Sequence, residues 1–175
     1  QGMIPFIEEY QANRILTWLN PASDAAGYYQ QENSIMAIGS GQLWGKGLNN
    51  TEIASVKNGN FLSEEQTDFI FAIIGEEMGF VGAMIVIALF LLLVYECLMM
   101  AYRAKDLSGR LICTGMATLL AFQSFANIAV ATAIFPNTGL PLPFVSYGVS
   151  SLLSLYIGIG VVLNVGLQRR YSNEW

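Results

Sequence analysis

Five residues of this chain are of a type and in a setting that suit work on a polar, anionic or sugar-like ligand: Asp24, Lys46, Glu76, Asn127 and Ser146. Asp24 lies in the run Leu19-Asn-Pro-Ala-Ser-Asp-Ala-Ala-Gly27. A carboxylate there accepts a proton from a sugar hydroxyl if it is held within hydrogen-bond reach. A turn or helix-cap aspartate explains the same residue. Glu76 and Glu77 fall in the outer half of an apolar stretch, where a carboxylate is costly unless paired or facing a wet cavity. Adjacent helical residues point about 100° apart, so one faces a cavity while the other reaches the interface. Pairing with an Arg or Lys is the plainer account, and either account expects a partner from outside this chain.

Lys46 sits in Gly39–Gly47, which holds four glycines in nine residues. Exposed backbone N–H groups beside one ammonium suit a phosphate or pyrophosphate; a simple flexible turn fits as well. Gln123 and Asn127 are four apart and share a helical face, suiting a polar ligand or an interhelical hydrogen bond. Ser146 opens a run with Tyr147, Ser150, Ser151, Ser154 and Asn164 among glycines, the small-and-polar pattern of a helix packed on other helices.

Composition removes several kinds of chemistry. The chain has no His and only two Cys, which excludes His-based catalysis and Cys/His zinc sites within it. Cys97 and Cys113 read as packing residues inside apolar stretches. No pattern demands a metal; one that bound would be a hard, oxygen-ligated ion such as Mg²⁺ or Mn²⁺ on the acidic N-terminal region. A net charge of −5 argues against nucleic acid as a partner.

The elements that must hold these residues are largely membrane helices. Hydrophobic residues make up 54% of the chain and charged residues 12%, against about a quarter charged in soluble domains. Apolar stretches near 80–102, 111–135 and 144–167 each exceed the ~20 residues that cross ~30 Å of hydrocarbon. Such segments must satisfy their own backbone groups, so they are expected to be helices. Residues 69–75 are apolar but short, and predict a half-buried helix running into the first span.

Before the spans, residues 1–68 predict an extracellular region with short helices over 1–20 and 25–38. Ser23 or Asp24 is a candidate cap for the second, and Ser63 with Gln66 fits a capping box. Phe135–Phe144 holds three prolines and predicts a stiff loop that dips into the outer membrane and lines a groove, one of the prolines starting the next helix. Arg103, Lys105 and Arg110 put the first short loop in the cytoplasm, and Arg169 and Arg170 do the same for the C-terminus. Residues 1–68 and 136–143 are then outside. An external start without an export signal suggests a piece of a longer protein. The two regions are thus 1–68 and 69–175.

Four ordered blocks carry a family resemblance. They are Pro136-Asn-Thr-Gly-Leu-Pro-Leu-Pro-Phe-Val-Ser-Tyr-Gly148 with Ser150-Ser151 and Asn127 upstream; Tyr10-Gln11 and Arg14 before Leu19-Asn20-Pro21 and Asp24; Ala37–Gly41 with Gly45-Lys46-Gly47; and Thr67–Ala72 with Glu76-Glu77 and Gly79. Together they resemble the SEDS family (shape, elongation, division and sporulation), whose branches include RodA, FtsW and SpoVE, and the wording is nearest RodA. Val149 and Ala133 depart from the family pattern, which has Gly at the first position and Gly, Thr or Arg at the second.

The resemblance implies an all-α integral membrane fold of about ten spans, of which this chain holds a large extracellular loop and the last three helices. It implies a peptidoglycan glycosyltransferase that polymerises lipid II beside a class B penicillin-binding protein. Asp24 matches the family's essential aspartate, proposed to deprotonate the acceptor hydroxyl, with Lys46 near a pyrophosphate and Glu76, Asn127 and Ser146 as further substrate-binding candidates. Two other functions fit the residues: a flippase or carrier using Glu76, Gln123 and Asn127, and a scaffold for a cell-wall synthase.

Overall fold

The computed structural model describes residues 9–20, 25–48 and 68–168, and every regular element among them is a helix. In chain order these are α1 (Glu9–Leu19), α2 (Ala25–Ser40), α3 (Ile70–Arg103), α4 (Leu107–Ala131) and α5 (Val149–Gln168). The last three are long and apolar enough to cross a bilayer. Their outward faces expose Leu89, Leu91, Leu119, Phe122, Leu153 and Ile157, large apolar side chains of the kind that face lipid.

α3 is one helix in sequence and two in geometry. Gly79, at φ 66° and ψ −166°, breaks it. That backbone region is open essentially to glycine alone. Beyond the break, residues 80–103 rise about 36 Å at 1.5 Å per residue, enough to span the bilayer unaided. The expected span at 80–102 is this piece, and Ile70–Met78 is the short apolar helix that leads into it.

The other two spans begin and end elsewhere than hydropathy suggests. α4 starts at Leu107 rather than 111, because Asp106 is extended and its carbonyl accepts the amide of Arg110 at 3.0 Å. The polar turn Leu107–Arg110 is helical although it is not apolar. α4 stops at Ala131 rather than 135 because Ala133 turns left-handed at φ 55°. The amides of Ala133 and Ile134 fold back onto the carbonyls of Val130 and Ala129 at 3.0 and 2.8 Å.

α5 starts at Val149, not 144, and Pro143 does not open it. Phe144 has φ 61°, and the Ser146 amide and hydroxyl both bond to Leu142, closing a compact turn before the helix. Hydropathy could not see this turn, because Pro143, Phe144 and Val145 are apolar.

Two cores stack along the bundle. Cys97, Ala101, Cys113, Ala117, Leu120, Leu155 and Val162 form one, near the α3–α4 turn. Both cysteines are buried and free, as packing residues should be. Phe71, Ala83, Ala131 and Leu142 form the other, with Ile38 of α2 packed against it. α1 falls within the stretch 1–20 expected to be helical, whose residues 1–8 lie outside the described residues, and α2 covers 25–38 and runs two residues further. The caps at Ser23 or Asp24 and at Ser63 lie outside the described residues.

Ala133 supplies a test. A non-glycine residue in the left-handed region costs about 1–2 kcal/mol. Ala133→Gly should therefore stabilise the protein by roughly 1 kcal/mol, after the greater freedom of glycine in the unfolded chain is subtracted. Thermal unfolding in detergent reads this; a lowered midpoint would refute the left-handed turn.

Candidate functional site

Helix α2 is held against the carbonyl end of α4. The last four carbonyls of any helix lack partners within it, and at α4 the chain supplies them from several directions. Ile128 O accepts from the Thr132 amide and hydroxyl at 3.0 and 2.8 Å. Ala129 O accepts from the amides of Ile134 and Phe135. Val130 O accepts from the Ala133 amide and from Gln31 Nε2. Ala131 O accepts from Ser34 Oγ at 2.7 Å.

Gln31 and Ser34 are three apart on α2, so one face presents both, and both are buried. Gln31 Nε2 also donates to Phe135 O at 2.7 Å, the indole of Trp18 to Ala133 O at 2.9 Å, and Arg14 to Asn137 O at 3.0 Å. α2 therefore caps a membrane helix, and α1 bonds to the chain that follows it. Sequence reasoning did not find these caps. Gln31 and Ser34 fall in the polar run Gln30–Ser34, where nothing in the sequence sets them apart from Gln30, Glu32 and Asn33.

The glycine-rich loop serves the break in α3. Its residues run beside Gly75–Val81, so that both broken helix ends bond to it. The carbonyls of Glu76 and Glu77 accept the amides of Lys46 and Gly47 at 2.9 and 3.0 Å. The amides of Phe80 and Val81 donate to Gln42 O and Leu43 O at 2.8 and 3.2 Å. Glycines four apart on each side make the approach possible: a β-carbon on Gly41 would overlap Gly75 O, and one on Gly45 would overlap Glu77 O.

This alters the expectation for Lys46. The amides of Gly41, Gln42, Gly45, Lys46 and Gly47 all donate to backbone carbonyls, so they form no outward cradle for a phosphate. The Lys46 ammonium lies 2.8 Å from Glu76 Oε1. Glu76 is 1% exposed, and the basic partner expected from outside the chain is Lys46, within it.

Asn127 and Ser146 are likewise turned to structure. Asn127, 1% exposed, donates through Nδ2 to Asp68 O and Leu140 O, both at 2.8 Å. It ties the segment entering α3 to the proline-rich loop. Ser146, 2% exposed, accepts the Leu142 amide at 2.8 Å. Both side chains are buried and bond to loop backbone, Asn127 through Nδ2 alone, with its Oδ1 left without a hydrogen-bond partner. Gly139, at φ 68°, donates to Asn137 Oδ1 and completes the turn in the same loop.

Asp24 lies outside the described residues; its chain neighbour Ala25 opens α2. Among the described residues, no group of three or more His, Cys, Asp or Glu side chains is placed to hold a metal ion.

The Asn127 clamp is testable by charge. Asn127→Asp replaces two donors by acceptors aimed at carbonyls, so it should destabilise by at least about 2 kcal/mol and more than Asn127→Ala does. Thermal unfolding compares them; an Asp variant as stable as the parent would remove the clamp.

Comparison with known proteins bears on the whole chain. The family model for FtsW, RodA and SpoVE, described as "Cell cycle protein", matches residues 3–171. Stage V sporulation protein E of Bacillus subtilis (strain 168) is 40% identical over 163 residues, which cover 93% of this chain and 43% of that protein. Peptidoglycan glycosyltransferase MrdB of Escherichia coli (strain K12) is 41% identical over 171 residues, covering 96% of this chain and 45% of that protein. A solved structure described as "Structural coordination of polymerization and crosslinking by a peptidoglycan synthase complex" matches with a TM-score of 0.69 at 33% identity, over 94% of this chain and 44% of the matched chain. The chain spans a little under half the length of these relatives. With three bilayer-length helices and a family match over nearly all of its residues, it is a multi-pass membrane protein that belongs to the FtsW, RodA and SpoVE family.

Proposed function

We propose that the intact protein is a peptidoglycan glycosyltransferase that polymerises lipid II, with Asp24 as the general base. Its relatives' names support the activity: one is a peptidoglycan glycosyltransferase, and the matched structure is of a peptidoglycan synthase complex that couples polymerisation to crosslinking. The coupling supports a class B penicillin-binding protein as partner. The positive-inside pattern supports an orientation with the α3–α4 turn and C-terminus in the cytoplasm. Residues 1–68 and the loop 136–143 then face outward, where lipid-linked sugars await polymerisation.

The observation that carries the reading is the anchoring of α2. Its middle is bonded to the carbonyl end of α4 through Gln31 and Ser34, and it leads directly into the loop bonded across the break in α3. A general base must be held within hydrogen-bond reach, about 2.6–3.2 Å, of the hydroxyl it deprotonates. A helix secured in this way is a firm support for the residue that precedes Ala25. In the reaction, the carboxylate takes the proton of the acceptor hydroxyl. The resulting oxygen bonds to the donor's anomeric carbon as the bond to undecaprenyl pyrophosphate breaks, and the electron pair leaves with that pyrophosphate.

The transport alternative relies on Glu76, Gln123 and Asn127 facing a polar pathway. Glu76 Oε1 is bonded to Lys46 and Asn127 Nδ2 to loop backbone, which ties both residues into the fold, while Asn127 Oδ1 and Gln123 Oε1 are buried without a hydrogen-bond partner. The scaffold alternative differs from the enzyme in one measurement. Asp24→Asn in the full-length protein with its partner should lower lipid II polymerisation by at least about 10²-fold, with unchanged thermal stability and partner binding. Polymerisation at the parental rate would refute the assignment of the base, and a parent that binds its partner but makes no glycan would favour the scaffold.

A further inference from the structure

Lys46 and Glu76 are joined twice, once through backbone and once through side chains. The Lys46 amide donates to Glu76 O at 2.9 Å, and its ammonium lies 2.8 Å from Glu76 Oε1. The carboxylate side chain is 2% exposed and the lysine side chain 24%. A carboxylate buried to that degree is strongly disfavoured once its cation is withdrawn. The pair therefore couples the position of the loop to the end of the broken helix.

The position of the pair separates it from the chemistry proposed for Asp24. Gly41, just past the end of α2, packs against Gly75 and Glu76. The pair thus stands at the C-terminal end of α2, whereas Ala25, next in the chain after Asp24, stands at the other. The 16 residues of α2 extend about 24 Å. Acceptor oxygen, anomeric carbon and the first phosphate of the leaving group must all lie within a few ångströms of one another when bonds change. An ammonium most of a helix length from Ala25 does not reach the pyrophosphate of that same bond.

Resting on the glycosyltransferase reading, we propose that Lys46 and Glu76 are positioning residues: their ion pair latches the glycine-rich loop into the break of α3 and so fixes α2, and with it the catalytic carboxylate. The latch acts without touching substrate. It makes the loop a part of the helix it repairs, since the same loop satisfies Phe80 and Val81 on the far side of the break. Loosening the pair frees one end of α2 while the caps at Gln31 and Ser34 keep the helix folded.

The test uses the full-length protein with its penicillin-binding partner in nanodiscs and lipid II as substrate. K46M and E76Q should lower kcat at least tenfold and leave KM for lipid II within twofold. K46R, which keeps the charge, should retain at least half the parental kcat. Amide hydrogen exchange at Lys46, Gly47, Phe80 and Val81 should quicken at least tenfold in E76Q and remain near parental in K46R. A tenfold rise in KM at unchanged kcat would overturn the proposal in favour of direct substrate binding. Faster exchange with unchanged kcat would reduce the pair to a stabilising contact and overturn it too, as would unchanged exchange in both K46M and E76Q. A parent protein that makes no glycan would instead refute the glycosyltransferase reading, and the exchange rates would still decide whether the latch exists.

Discussion

Where a membrane helix ends beneath other segments of the chain, its backbone carbonyls and amides are shut off from water and must find partners in the protein, and each one left alone costs several kcal/mol. The described structure is organised around two such places. One is the carbonyl end of α4, capped by Gln31, Ser34 and the reversing chain at Thr132–Phe135. The other is the break at Gly79, whose exposed carbonyls and amides bond to the glycine-rich loop. Both are repaired in part by residues that precede the spans in sequence. The outer segment is therefore fastened to the bundle because the bundle's own helices are incomplete without it.

Such fastening bears on function through rigidity. A helix lying on a membrane surface by its apolar face alone slides and tilts; one whose side chains close specific carbonyls has a defined height and rotation. α2 has both kinds of contact, with Ile38 in the apolar core and Gln31 and Ser34 on α4. The proline-rich loop is treated the same way from the other side. Asn127, Ser146 and Asn137 each hold its backbone, and Arg14 of α1 joins it to the outer helices. Asn127 and Ser146, expected as ligand contacts, both bond to the backbone of this loop.

Much of this architecture was legible in order and kind. The three spans, the short apolar approach to the first, and the two outer helices follow from apolar run length and periodicity. The blocks around Asp24, Gly41, Glu76 and Pro136 pointed to the family that the comparison then showed. Boundaries were less legible. Pro143 to Val145 are as apolar as any span, yet Phe144 takes φ 61° and the helix waits until Val149. Hydropathy measures what a segment dissolves in, not how its backbone turns.

The sequence by itself determined the medium, the number of bilayer-length helices and the family, since all three depend on residue types and their order along the chain. It also placed a carboxylate, an ammonium and two amide side chains near the expected outer surface. Only the tertiary structure decided what most of those groups face. Lys46 meets Glu76 across 30 residues of sequence, and Asn127 meets Asp68 across 59. Whether a polar side chain is a ligand contact or a brace depends on which backbone atoms come within 3 Å of it. That is a property of packing between distant segments, and a linear pattern does not contain it.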